Sequence, residues 1–150
     1  MAKFVYRMQN ILNIKQKLET QAKMTYSLAN RKYLEQQNIL QEYMVRRVGY
    51  EKRWKELMQG NLNLQEVEHA RADVNAMKTI VRRQMIEVHR AEKELEDARN
   101  RLKTVMQERK VQEKLREKAF EEFKQELAEA ETKEIDELVS YTYNKGEQGE

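Results

Sequence analysis

Val67, Val74, Val81, Val88, Leu95 and Leu102 recur every seven residues, and Ala70, Met77, Ala91, Ala98 and Val105 stand three residues after five of them. Six unbroken repeats of this kind describe a helix that buries one narrow seam against another helix. Gln84 is the single polar residue in the second series, and the fixed seven-residue period implies a left-handed supercoil. From Met106 to Lys118 the pattern blurs, with Arg109 and Gln112 at seam positions, and it resumes with Ala119, Phe123, Leu127, Ala130 and Leu138. The rest of the composition agrees. Half of the 150 residues are Ala, Glu, Leu, Lys or Arg, only 39% are apolar, and there is no proline. Such a chain lacks the apolar content to surround itself with a layered core.

Four glycines are the only strong helix breakers. Gly60-Asn61-Leu62-Asn63 joins a helix-ending glycine to a capping asparagine, with Glu66 three residues beyond Asn63 as in a capping box. These signals predict helix 1 over about 3–59, a turn at 60–63 and helix 2 over about 64–140. The stretch 144–150 has no apolar residue, so it is expected to be a disordered tail behind a single hairpin of residues 1–143. Helix 1 carries a weaker stripe of Phe4, Met8, Ile11, Lys15, Leu18, Ala22, Thr25 and Ala29. After a four-residue skip it continues through Tyr33, Gln36, Leu40, Tyr43, Arg47, Tyr50, Trp54 and Leu57. Gly49 lies inside this helix, where glycine costs roughly 1 kcal/mol against alanine.

Helices of about 55 and 76 residues, roughly 85 and 115 Å at 1.5 Å per residue, need a partner helix. The short turn makes them antiparallel neighbours, with residue i facing roughly residue 123 − i. The expected fold is therefore all-α, two long helices in an antiparallel coiled-coil hairpin. Helix 2 overhangs helix 1 from about Phe120 to Leu138 with Phe123, Leu127, Ile135 and Leu138 lacking an internal partner. Charge divides along the same line, with net +7 over residues 1–60 and net −6 over residues 119–139.

Chemistry is sparse. The absence of cysteine excludes a disulfide scaffold and thiolate metal ligands. His69 and His89 each have one nearby carboxylate, Asp73 and Glu92, which falls short of a metal site. No glycine-rich phosphate loop and no Ser/His/Asp set occurs, and a two-helix coil offers no water-excluding pocket, so neither catalysis nor a cofactor is expected. Arg46-Arg47 and Arg82-Arg83 are diluted by acids in a chain of net charge +3, which argues against a nucleic-acid or membrane-surface binder. No apolar run is long enough to span a membrane, and the N-terminus lacks a signal-peptide core, so a soluble cytoplasmic protein is expected.

Phe4-Val5-Tyr6-Arg7-Met8-Gln9-Asn10-Ile11-Leu12 resembles the opening of the flagellar FliJ family, an F-x-[FY]-R-[LM]-Q-x-[VIL]-L pattern that leads into a long helix. Glu113-Lys114-Leu115-Arg116-Glu117-Lys118 and Glu131-Thr132-Lys133-Glu134-Ile135-Asp136-Glu137 are similar to that family's second motif. The resemblance implies a non-enzymatic stalk and adaptor of the flagellar type III export apparatus, with three partners: the export ATPase ring, the export-gate protein and the export chaperones. It implies attachment to the membrane at the flagellar basal body only through partners, a role in motility and chemotaxis, and a monomer when free. For the ATPase it points to Phe4, Tyr6, Arg7, Gln9, Phe120, Phe123, Leu127, Asp136 and Glu137. For the gate it points to Gln36, Leu40 and Tyr43, although Arg47 stands where an aromatic would continue that run. Periodicity alone leaves two alternatives open: these helix 1 residues as seam or as interface, and the whole chain as a generic structural coiled-coil scaffold or dimerisation protein that self-associates through the overhang.

Overall fold

The computed structural model describes residues 2–148. Two helices, α1 (Gln9–Leu57) and α2 (Leu64–Gln148), pack against each other as an all-α helical hairpin. At the end of α1 the last turn tightens, with Met58 N donating to the carbonyls of Trp54 and Lys55. Gly60 then takes φ 81°, the left-handed conformation that ends a helix and that side chains with a Cβ resist. Asn63 Oδ1 accepts from Gln65 N at 3.1 Å and Glu66 N at 3.5 Å, which caps α2.

The chain divides into two compact units, residues 20–103 and residues 1–19 with 104–150. The first holds the hairpin turn. Its core is the α2 seam: Ala70, Val74, Met77, Val81, Ala91, Leu95 and Ala98 are all buried, and Val67, Val88 and Leu102 are half-buried. The residues are small because a narrow seam brings the helices close, and Val74 and Val81 are almost fully enclosed. Gln84 is also buried. Its Nε2 donates to Gln36 O at 3.0 Å and Gln36 Oε1 at 2.7 Å, so the one polar seam residue is satisfied across the pair.

The partner stripe on α1 differs from the expected one. An unbroken series of sequestered positions is Leu12, Lys15, Glu19, Ala22, Tyr26, Ala29, Tyr33, Gln36, Leu40, Tyr43, Arg47, Tyr50, Trp54 and Leu57, with Leu18, Ile39 and Glu51 half-buried beside it. The steps of the series alternate three and four, so the expected skip between Ala29 and Tyr33 does not exist. Thr25 is exposed and Tyr26 is sequestered in its place, while Met8 and Ile11 are exposed and Leu12 is buried. The apparent skip arises because one true seam position, Glu19, is charged, which makes the neighbouring phase look better. Trp54 Nε1 is buried with no hydrogen-bond partner among the described residues.

In the second unit, charged and aromatic residues replace the valines. Leu12 and Val105 are buried, and around them Lys15 Nζ reaches Glu108 Oε2 at 2.8 Å. Buried Glu19 pairs with the guanidinium of Arg109, which also donates to Glu113 Oε2 at 2.7 Å. The Arg109 pKa is raised from its ordinary value, first by the hydrogen bond to Glu113 and then by the two negative charges, against desolvation, which lowers it. Lys15 with Glu108 here, and Gln36 with Gln84 in the first unit, fit the expected antiparallel register.

Both ends of the helices also depart from expectation. Residues 2–8 are not helical, so α1 begins six residues later than expected, at Gln9. The cause is Phe4, which gains more from two phenylalanines on α2 than a fraying helical end would supply. At the other end α2 runs to Gln148, beyond the expected limit of 140 and into the stretch read as a loose tail. Residues 149 and 150 of that stretch lie outside the described residues. Once a helix exists, each added residue gains a backbone bond for the two dihedrals it fixes, and Gly146 alone does not stop it.

Candidate protein-binding surface

The chain start and α2 form an aromatic clasp. The Phe4 ring lies 5.0 Å from Phe120, edge-on, and 5.5 Å from Phe123. The Arg116 guanidinium stands 5.6 Å from the centre of the Phe4 ring and donates to Gln9 Oε1 at 3.0 Å, while Tyr6 Oη donates to Gln112 Oε1 at 3.2 Å. Lys124 Nζ covers the Phe120 ring at 4.6 Å. Residues 2–8 are thus held as an extended strap across α2. A shallow open cleft of about 420 Å³ lies beside the clasp, between Arg7 and Met8 on the strap and Glu122 and Glu126 on α2.

Five of the nine residues expected at an ATPase contact are brought together here: Phe4, Tyr6, Gln9, Phe120 and Phe123. Arg7 lies at the rim and is exposed. Leu127, Asp136 and Glu137 stand further along α2, outside the clasp, in a stretch where every residue from 124 to 146 is exposed. That stretch keeps Leu127, Ile135, Leu138, Val139 and Tyr141 in solvent among its acids. Gln112 and Arg116, which hold the strap, were not among the expected site residues. They stand at seam spacing, but as polar residues they read only as a blurring of the apolar pattern.

The three residues expected at a gate contact are split in character. Gln36 spends its side-chain amide on Gln84, inside the seam. Leu40 is half-buried in the same seam. Tyr43 is half-buried but lines a groove of about 380 Å³ with Ile80, Arg83 and Glu87, and Arg46 lies 5.9 Å from its ring centre. A second feature was not anticipated at all: Leu34, Met44, Val45 and Val48 are exposed on α1.

Among the described residues, no group of three His, Asp or Glu residues is placed to hold a metal, and no helix is long and apolar enough to cross a membrane.

A family model described as the flagellar FliJ protein matches residues 4–148. The chain belongs to the FliJ family. It is therefore a flagellar export-related coiled-coil protein, associated with the flagellar machinery. The match takes in the strap, both helices and the exposed acidic end of α2. No curated protein and no solved structure matches the FliJ-family chain at a level that would show kinship.

Proposed function

We propose that this chain is a non-enzymatic stalk and adaptor whose clasped end and exposed acidic helix enter the export ATPase ring, promoting ring assembly and ATP hydrolysis. The observation that carries this reading is the run of solvent-exposed residues on α2 after the clasp, an amphipathic helix with apolar side chains and no partner in its own chain. Phe120, Phe123 and Leu127 present apolar surface beside the strap, and Arg7, Asp136 and Glu137 supply charges of both signs to orient it. Tyr6 and Gln9 act on the ring through the strap they hold. The mechanism is protein binding throughout, with no bond chemistry in this chain.

The gate-protein contact falls to Tyr43, whose groove is open, with Leu40 beneath it and Gln36 fixing the seam below both. The export chaperones are the third partner class. The working place is the cytoplasmic face of the flagellar basal body, reached through the partners, and the consequence for the cell is motility and the chemotaxis that depends on it.

ATP hydrolysis by the export ATPase of the same genome, followed with light scattering for ring formation, tests the main claim. Addition of the chain should raise both. Unchanged hydrolysis and unchanged scattering with both proteins folded and in excess would remove the stalk reading and leave a structural coiled coil. A 1–118 truncation, shown to be folded by circular dichroism, should lose the ATPase in a pull-down. A Tyr43→Ala chain that binds the gate protein normally and loses only melting temperature would make Tyr43 a seam residue.

A further inference from the structure

Over residues 33–48, α1 carries two seams on two faces. Tyr33, Gln36, Leu40, Tyr43 and Arg47 are half-buried toward α2. Leu34, Asn38, Gln41, Val45 and Val48 form a second series with steps of four, three, four and three, and all five are exposed. None of the five is charged, in a chain in which 37% of residues are. Leu34, Val45 and Val48 are 50, 66 and 63% exposed, and an open cleft of about 560 Å³ lies over Gln37, Asn38, Gln41, Met44, Val45 and Val48. A series with this spacing is the footprint of another helix.

Gly49 adds an independent sign. It lies within a regular helix, where glycine is unfavourable, and apart from its chain neighbours and the adjoining helix backbone no described atom comes within 4 Å of the place a Cβ would occupy. Nothing inside the chain requires it. Beside Val45 and Val48 it leaves a gap into which a bulky side chain of an approaching helix can seat.

Charge indicates what approaches. Residues 31–56 carry seven Lys or Arg against four Glu, so the uncharged series is bordered by net positive charge. An acidic amphipathic helix fits this border, and the chain itself contains one. Residues 119–139 carry eight Asp or Glu against two Lys, and on this stretch and just past it Leu127, Leu138 and Tyr141 share a face that is open to solvent. We propose that the segment 127–143 of a second copy docks on the outer face of α1 over residues 34–49, so that the protein self-associates through two different surfaces. The contact is heterologous, and one chain can give its acidic segment while another receives it. It is a short two-helix contact of the weak class, sensitive to salt. Its logic requires no ATPase, so it stands or falls apart from the stalk reading. Where both hold, a docked acidic segment is withheld from the ring.

Sedimentation equilibrium on the full chain tests this at about 0.05 M and about 0.5 M salt, on either side of ordinary screening lengths. Wild type should gain mass with concentration, several-fold more weakly at high salt. Val45→Glu with Val48→Glu should abolish association, and so should Leu138→Glu with Tyr141→Glu; all four sites are exposed, so circular dichroism should remain that of the folded hairpin. An equimolar mixture of the two double variants should recover a dimer and go no further, since one chain keeps its acidic segment and the other its outer face. Gly49→Ala should raise the melting temperature by about 2–4 °C through better helix propensity while weakening association. A chain that stays monomeric at every concentration overturns the proposal. So does association that survives the outer-face substitutions, or a mixture that fails to complement.

Discussion

The hairpin end and the clasped end of this chain use the same two helices and differ in what lines the α2 side of the contact. Over residues 20–103 the α2 side of the contact is made by small apolar residues, Val74, Val81, Ala91 and Ala98 among them, against an α1 face that includes Tyr26, Tyr33 and Trp54; Gln84 meets Gln36 within it and Lys32 Nζ reaches Glu94 Oε2 at 3.1 Å at its edge. Over residues 1–19 and 104–148 the contact is made by Lys15 with Glu108, Arg109 between Glu19 and Glu113, and Phe4 against Phe120 and Phe123. Repeated valines and alanines stabilise a coil but look nearly alike one heptad further along, so they leave register weakly specified. Pairs of unlike groups are satisfied in one alignment only. The apolar unit therefore supplies adhesion, and the charged and aromatic unit supplies position at the end where the helix leaves its partner. A surface that presents residues to another protein needs the second property more than the first.

The largest break in this comparison should come from the apolar side. Val81→Asp places a carboxylate with no partner in a site that is 1% exposed, and an uncompensated buried charge of that kind costs several kcal/mol. Urea unfolding should show loss of most of the cooperative transition. The same aspartate at exposed Val45 should change the midpoint little.

Next in size is the ion pair. Arg109→Met removes the guanidinium that pairs with buried Glu19 and should lower the melting temperature by several degrees. Glu19→Leu with Arg109→Met should recover wild-type stability or exceed it, because a buried pair replaced by apolar groups is often neutral or stabilising. The arginine half of this pair is indifferent to pH over any ordinary range. Its folded pKa is raised, so its contribution is complete at every pH below the unfolded guanidinium value and fades only as pH rises through the folded one. A double variant that stays as unstable as Arg109→Met alone would show that the terminal unit needs this charge pair for more than its own desolvation.

The sequence made one of these two units legible and half concealed the other. All twelve α2 seam positions from Val67 to Val105 are buried or half-buried, because valine every seventh residue has few other uses. Helix 1 misleads through Glu19. A buried glutamate breaks the apolar rhythm, and Ile11 and Thr25 then offer a plausible false phase beside the true one of Leu12, Glu19 and Tyr26, although Leu18 of that phase is itself half-buried. The strap is invisible for a related reason. Phe4, Tyr6 and Met8 read as a helical face, and only the rings of Phe120 and Phe123, more than a hundred residues away, make an extended path the better one. Of the candidate site, Phe4, Tyr6, Gln9, Phe120 and Phe123 came from motif resemblance and meet in space, whereas Gln112 and Arg116 continue the seam spacing with polar side chains and so look like a blurred seam. The outer series on α1 is legible in its spacing but is masked in the sequence by the inner stripe, which has the same alternation of three and four and carries the aromatic side chains.

A smaller effect separates the strap from the helices it crosses. Phe4→Ala removes both ring contacts and the Arg116 interaction with the ring, which together should cost about 1–3 kcal/mol at the clasp. Hydrogen exchange should quicken at residues 2–12 and near Phe120 and Phe123, and leave the amides around Val74 and Val81 as they were. Quickening throughout the chain would mean that the two units unfold as one, and the contrast between them would be chemical without being energetic.

The smallest effect should be at Trp54, and its smallness carries the information. A buried indole N–H ordinarily has a hydrogen-bond partner, and leaving one without a partner costs about 1–3 kcal/mol. Trp54 Nε1 is buried without a protein partner among the described residues, so a dry seam at this position would bear that cost. Trp54→Phe removes the polar group together with part of the ring. The relief of the unsatisfied donor and the lost packing oppose each other, and the net change should lie within about 1 kcal/mol of zero. Urea unfolding of Trp54→Phe beside Tyr50→Phe gives the measurement, with circular dichroism as the signal because the only tryptophan has been removed. A loss as large as that expected for an ordinary core truncation would mean that the indole N–H is satisfied in solution, by an ordered water at the hairpin end, and that this seam too holds a specific polar contact.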